Sequence, residues 1–94
     1  MKTPYQTKNY KFENGHVPFN AWFDRIKETK TQQKITAKIT SLRSGNFNNT
    51  KKIEYTNVRD LYELYIDSGP GYRIYFGRKG RTLIILLCGG SSDE

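Results

Sequence analysis

The sequence predicts an α+β protein in which two N-terminal helices pack on a three- to four-stranded, mostly antiparallel sheet. Within residues 18–42, apolar residues recur at spacings of three and four, which is typical of helices with one buried face. Within residues 61–76, apolar and polar residues alternate, which indicates strands with one buried face. The apolar run 83–88, which follows a glycine turn, predicts a strand buried on both sides.

Length and composition predict one domain over residues 1–94 and an anionic partner. Ninety-four residues suit a single small domain, and 16 Lys and Arg against 9 Asp and Glu give a net charge of +7. The single Cys88 excludes an internal disulfide. The sequence starts without the apolar segment of a secretion signal, and its longest apolar run is too short for a membrane span. We therefore expect a cytoplasmic protein that does not bind membranes.

The first half of the chain predicts one edge strand followed by two helices. Residues 2–12 could form the strand, and the Asn-Gly pair within residues 13–16 indicates a turn. The first helix is expected to start at Pro18, and the second at about Thr31, with Gly45 as its stop. The apolar stripes consist of Phe19, Trp22, Phe23 and Ile26 in the first helix and Ile35, Ile39 and Leu42 in the second.

Basic residues flank the apolar stripe of the second helix. Lys34, Lys38 and Arg43 could form a ridge that contacts phosphates, or they could be an ordinary solvated helix face. After a loop at residues 47–50, residues 51–55 could form the first strand of the sheet or an irregular approach to it.

The strongest prediction is a hairpin between residues 61–66 and 72–76. The turn 67–71 contains Pro70 and two glycines, which suit a tight reversal. This turn would pair Ile66 with Tyr72, Leu64 with Ile74 and Tyr62 with Phe76 on one apolar face. The opposite face would then present Glu63, Tyr65, Arg73 and Tyr75.

That polar face is the candidate for function. One His, one Cys and scattered carboxylates indicate neither a metal site nor a nucleophile pair, and no cofactor is expected. Arg73 between tyrosines suits RNA, because a guanidinium binds phosphate while rings stack on unpaired bases. The alternative is a tyrosine-rich surface on which Arg stacks without a ligand. Arg78, Lys79 and Arg81 in the next turn, and Lys51 and Lys52 before the sheet, would extend the basic surface.

Four stretches resemble the HigB-type addiction-module toxins of the RelE/ParE superfamily. They are the residues FNAW (19–22), KITAKITSLRSGN (34–46), YELYIDSGPGYRIYF (62–76) and LLCGG (86–90). The resemblance implies an α+β toxin of a type II toxin-antitoxin pair, inhibited by an antitoxin that often carries a helix-turn-helix domain. RelE-like members cut mRNA on the ribosome without a metal, whereas ParE-like members act on DNA gyrase.

The resemblance also implies roles for individual residues. Arg73 matches the family's catalytic arginine, Lys51 and Lys52 lie where relatives carry a lysine, and Tyr65 stands where many relatives have Arg. Glu54 or Glu63 could accept a proton. The candidate catalytic residues are Arg73, Tyr65, Glu63 and Tyr75, and the candidate RNA-binding residues are Lys38, Lys51, Lys52, Arg78, Lys79 and Arg81.

The end of the sequence departs from the family pattern. Relatives continue beyond the CGG-like segment into a C-terminal helix, which this sequence, ending at Glu94, is expected to lack. The last strand should then expose an apolar strip that favours self-association or a partner. The leading hypothesis is a ribosome-dependent mRNA endonuclease. The alternatives are a gyrase inhibitor that acts by binding and an inactive module that binds only an antitoxin.

Overall fold

The computed structural model describes residues 4–54, 57 and 59–91. Helices α1 (Pro18–Asp24) and α2 (Thr29–Arg43) follow a first strand, and four strands follow the helices. The strands are β1 (Gln6–Asn9), β2 (Thr50–Lys52), β3 (Leu61–Ile66), β4 (Tyr72–Lys79) and β5 (Leu83–Ser91). Within the described residues they form one sheet with the order β1-β5-β4-β3-β2.

The prediction of a three- to four-stranded, mostly antiparallel sheet is wrong. The described residues form a five-stranded mixed sheet, because β1 pairs in parallel with β5 while the other three pairs are antiparallel. Parallel neighbours need a long connection, and here both helices and three strands lie between them in the chain. The four polar residues of β1 have no apolar alternation, so their sequence does not indicate which strand they pair with.

Helix α1 begins at the predicted residue, and α2 begins and ends close to the predicted residues. Ile26, which was expected in the apolar stripe of the first helix, lies beyond the end of α1 at Asp24. Pro18 occupies the start of α1, where its missing N–H costs no helical hydrogen bond. Helix α2 begins at Thr29, two residues before the predicted start, and ends at Arg43. Gly45 takes a φ of 90°, and its N–H donates to the Leu42 carbonyl at 2.9 Å, which confirms the predicted stop.

The hairpin between β3 and β4 has the predicted register. Ile66 pairs with Tyr72, Leu64 with Ile74 and Tyr62 with Phe76. Gly69 and Gly71 in the connecting turn both have positive φ, which glycine adopts without a steric penalty. Of residues 51–55, only Lys51 and Lys52 belong to a strand, β2, which pairs antiparallel with β3. Ile53 and Glu54 lie outside the strand, and Tyr55 lies outside the described residues.

The two helices cover one side of the sheet, which we call the helix-covered face; the other side is the open face. The helix-covered face provides one buried apolar cluster. The predicted apolar side chains of the hairpin point to the helix-covered face. The residues that alternate with them along β3 and β4 therefore point to the open face. The cluster contains Phe19, Trp22, Ile35, Leu42, Leu64, Ile66, Ile74, Phe76, Ile84 and Leu86.

The prediction that the last strand is buried on both sides is also wrong. Ile84 and Leu86 are buried on the helix-covered face, whereas Leu83, Ile85 and Leu87 are only partly buried. A single layer of helices covers one side of a sheet, so the continuous apolar run does not mean two-sided burial here.

Beyond this run, β5 approaches α1 closely. Gly89 pairs with Ile74, and a Cβ placed on Gly89 would lie 2.5 Å from the ring of Trp22. Only glycine leaves space for the Trp22 ring at this position.

Candidate functional site

Five candidate residues come together on the open face, and we call them the open-face cluster. The strand register places Lys51 beside Glu63, Glu63 beside Tyr75, and Tyr65 beside Arg73. Side chains opposite each other on neighbouring strands have Cβ atoms about 4.5–5.5 Å apart, so the five form one continuous patch across β2, β3 and β4.

Glu63 lies at the centre of this cluster. Its side chain is 10% exposed, and its two carboxylate oxygens face different cations. Oε1 is 3.6 Å from Nη1 of Arg73, and Oε2 is 3.8 Å from Nζ of Lys51. These distances correspond to ion pairs rather than direct hydrogen bonds. The two cations offset the cost of burying the carboxylate, which would otherwise be large.

Arg73 is held from one side and accessible from the other. Its side chain is 43% exposed, and one end of its guanidinium faces Glu63. Its Nε is buried and has no hydrogen-bond partner among the described residues. An unpaired buried donor costs about 1–3 kcal/mol. Because the side chain as a whole is 43% exposed, the N–H donors at the end of the guanidinium that do not face Glu63 can bind a phosphate.

The cluster combines the groups needed for phosphodiester chemistry. A guanidinium can stabilise the charge that develops on a phosphate under attack, and a carboxylate beside it can accept a proton. Tyr65, 39% exposed, and Tyr75, half-buried, supply aromatic surface for bases. Cys88 lies opposite Tyr75, but burial raises the pKa of its thiol, which disfavours the nucleophilic thiolate.

Arg78 lies away from this cluster, on the helix-covered face, so its predicted grouping with Arg73 is wrong. Its guanidinium carbon is 5.5, 4.5 and 5.6 Å from the ring centroids of Tyr5, Phe47 and Tyr62. Its Nη2 also donates to the Tyr5 hydroxyl at 3.1 Å. Three rings therefore surround the cation. Strand alternation was the available signal, since it places residue 78 on the same face as residues 74 and 76.

Three other basic residues are also separated from the cluster. Lys52 pairs with Tyr62 and therefore faces the helix-covered side. Lys79 lies on the open face, but six residues along β4 from Arg73, a distance of about 20 Å. Arg81 is exposed in the turn between β4 and β5. Of the candidate RNA-binding residues on the strands, the structure brings only Lys51 into the open-face cluster, where it faces Glu63.

Lys38 reaches the same region from α2. Its Nζ donates to Oδ1 of Asn49 at 3.3 Å, and both residues line a cavity of about 360 Å³ that Tyr65 also lines. Lys34 lines this cavity as well. The sequence indicated only that Lys34 could belong to a basic ridge on the second helix or to a solvated helix face. The signal for Lys34 was its spacing of four from Lys38, which places both on one side of α2.

Neither a metal centre nor a membrane-spanning helix is found in residues 4–54, 57 and 59–91. No three His, Cys, Asp or Glu residues in these ranges are grouped so that they could hold a metal ion. No helix in the same ranges is long and apolar enough to cross a membrane.

The described residues combine a single helical layer, a five-stranded mixed sheet and an Arg-Glu-Lys cluster on the open face. An uncharacterized protein of Haemophilus influenzae is 39% identical over 77 residues, which cover 82% of this chain and 74% of that protein. The chain belongs to the same family as that protein. No protein-family model and no solved structure matches the chain.

Proposed function

We propose that this protein is the toxin of a type II toxin-antitoxin pair. In this proposal it is a HigB-type, metal-independent mRNA endonuclease that acts on the ribosome in the cytoplasm. The sequence resemblance over residues 62–76 and 86–90 supports the family assignment. One structural observation carries the chemistry: the Arg73 side chain is half-exposed on the open face, with the Glu63 carboxylate beside it.

In the proposed reaction, a ribose 2′-hydroxyl attacks the neighbouring phosphorus. The bond from O2′ to phosphorus forms and the bond from phosphorus to O5′ breaks, leaving a 2′,3′-cyclic phosphate and a 5′-hydroxyl. Glu63 accepts the proton of the 2′-hydroxyl, and the departing O5′ takes a proton from water. Arg73 stabilises the charge on the non-bridging oxygens. Lys51 attracts the RNA backbone, and Tyr65 and Tyr75 stack on bases.

The proposed partners are mRNA, the ribosome and a cognate antitoxin, of which a helix-turn-helix protein is the expected type. Self-association through the last strand is also proposed. β5 lies between β1 and β4 within the sheet, so a second copy would have to contact its side chains rather than its backbone edge. Leu83 and Ile85 are partly buried side chains available for such a contact.

The test compares wild type with Arg73→Ala after induced expression in a bacterial host. We expect wild type to stop translation and to cut ribosome-bound mRNA, with cut sites mapped by primer extension. Arg73→Ala should lower the cleavage rate by about 100- to 1,000-fold, because the charge on the transition state loses its main donor. Arg43→Ala is the matched control, since Arg43 is exposed at the end of α2, and this variant should act like wild type.

Two results would contradict the proposal. In one, wild type arrests growth while mRNA stays intact in both the cell and a purified translation system. In the other, Arg73→Ala cuts as fast as Arg43→Ala.

A second candidate is a non-enzymatic inhibitor of DNA gyrase. The partly exposed apolar side chains Leu83 and Ile85 on β5 favour it, because an exposed apolar surface suits a protein partner. A supercoiling assay separates the candidates. A gyrase inhibitor would block supercoiling with ribosome-bound mRNA left intact, and Ile85→Lys would relieve the block while Arg73→Ala would not.

A further inference from the structure

The pairing of β2 with β3 ends beside the open-face cluster. β2 pairs with β3 only over Lys52 to Thr50, opposite Tyr62 to Leu64. Asn49 then turns the chain with a φ of 65°, and its carbonyl accepts the N–H of Tyr65 at 2.9 Å. Beyond this contact lies the cavity of about 360 Å³, a volume within the range of about 300–1,000 Å³ common for small-molecule sites.

Two lysines from α2 are held at this cavity by neutral oxygen atoms. Nζ of Lys34 donates to the backbone carbonyl of Asp67, and Nζ of Lys38 donates to the amide oxygen of Asn49. An ammonium group has three N–H donors, so each lysine keeps two for a ligand. With the Asp67 carboxylate included, the residues lining the cavity carry a formal charge of +1, which favours an anion.

Tyr65 connects this cavity to Arg73. It lines the cavity, is 39% exposed, and pairs directly with Arg73 across β3 and β4. Aromatic rings beside cationic side chains are typical of sites for single-stranded nucleic acid, where bases stack while the backbone follows the charges. An RNA strand laid across this pair would place neighbouring nucleotides at the guanidinium and at the cavity.

We propose that this cavity is a nucleotide-binding subsite for single-stranded RNA. In this subsite, Lys34 and Lys38 bind the phosphate of one nucleotide, and the ring of Tyr65 stacks on the base of that nucleotide. The phosphate that Arg73 binds belongs to the neighbouring nucleotide. The inference rests on the proposed function for its biological role, but the binding itself requires neither ribosome nor cleavage.

The test is an NMR titration of the isolated ¹⁵N-labelled protein with adenosine 3′-monophosphate, with adenosine and inorganic phosphate as partial ligands. The nucleotide should shift the amide signals of Asn49 and Tyr65 and bind more tightly than either partial ligand. The double variant Lys34→Gln/Lys38→Gln should weaken binding by at least about tenfold. Tyr65→Leu should weaken it by at least about fivefold while reducing the preference for the nucleotide over phosphate.

The matched control is Lys8→Gln/Lys11→Gln. This double variant changes the charge equally at a different cavity, of about 320 Å³, which also contains Lys79. It should alter nucleotide affinity by less than about twofold. The spectra also report whether each variant is folded.

The outcomes separate the subsite from the catalytic proposal. If phosphate binds as tightly as the nucleotide, or if the Lys8/Lys11 variant weakens binding as much as the Lys34/Lys38 variant, the subsite is overturned even where Arg73→Ala abolishes mRNA cleavage. If the nucleotide binds as described while wild type leaves mRNA intact, the subsite stands and the endonuclease proposal fails.

Discussion

Strand β4 carries two arginines whose surroundings differ in every respect that matters for binding phosphate. Arg73 lies on the open face beside a carboxylate, with its Nε unpaired. Arg78 lies on the helix-covered face among three aromatic rings and donates to a tyrosine hydroxyl. The two guanidinium groups have the same charge, yet only Arg73 has both open solvent and a proton-accepting group next to it.

The difference shows why a count of basic residues is a poor guide to a phosphate site. The rings of Tyr5, Phe47 and Tyr62 surround the Arg78 guanidinium. These contacts connect the N-terminal segment and the loop after α2 to the sheet. Such contacts stabilise the fold. The Arg73 side chain is 43% exposed, so the donors at the end of its guanidinium that do not face Glu63 are available to a ligand.

The largest effect is expected from Glu63→Gln. This variant tests whether the carboxylate beside Arg73 is what distinguishes that arginine from Arg78. The amide keeps the shape of the buried side chain but cannot accept a proton, so mRNA cleavage should fall by about 100- to 10,000-fold. RNA binding should not weaken, because the substitution removes a negative charge beside Arg73 and Lys51. Cleavage assays and filter binding measure the two effects.

Glu54→Gln is the control for this prediction, since Glu54 is exposed and could also have served as the proton acceptor. If Glu54→Gln lowers cleavage and Glu63→Gln does not, the assignment of Glu63 is wrong.

The two faces of β4 should also differ in stability. Phe76 is fully buried and Tyr75 beside it is half-buried on the open face. Phe76→Ala should lower the free energy of unfolding by about 3–5 kcal/mol, because it leaves a cavity in the core. Tyr75→Ala should cost on the order of 1 kcal/mol, the size of a cross-strand contact. Urea unfolding followed by circular dichroism measures both, and equal losses would contradict the distinction between the faces.

A smaller loss of stability is expected from Arg78→Ala. The variant removes the cation from its three rings and leaves the Tyr5 hydroxyl without its donor, so unfolding should become easier by about 1–3 kcal/mol. Lys79→Ala, an exposed neighbour on the same strand, should change stability by less than about 0.5 kcal/mol. The rate of mRNA cleavage per folded Arg78→Ala molecule should match wild type. A cleavage defect without a stability defect would place Arg78 in the functional site instead.

The smallest effect concerns Cys88, whose thiol reactivity measures how far water reaches the open face beside the open-face cluster. Burial raises the pKa of its thiol, so the folded protein should react with iodoacetamide more slowly at pH 8 than the unfolded protein does in urea. Because the unfolded thiol loses its proton at a lower pH than the folded thiol, stability should fall as pH rises through the unfolded pKa. Cys88→Ser should lack this contribution. Equal thiol reactivity in both states would indicate a well-hydrated site.

Local sequence predicted the part of the site that depends on one hairpin. The turn at residues 67–71 and the alternation on both sides of it determined the register, and with it the neighbours Tyr65 and Arg73. The same alternation also assigns Arg78 to the helix-covered face. Its proximity to Arg73 along the chain therefore does not bring the two side chains together.

The sequence by itself determined the two helices, the hairpin and the face on which Arg73 stands, because helical and strand periods are set by backbone geometry over a few residues. Only the tertiary structure decided that β1 joins β5 in parallel, that Tyr5 and Phe47 surround Arg78, and that Lys34 and Lys38 meet Tyr65 at one cavity. These contacts join segments far apart in the chain. They depend on how whole layers pack, which no local pattern of residues encodes.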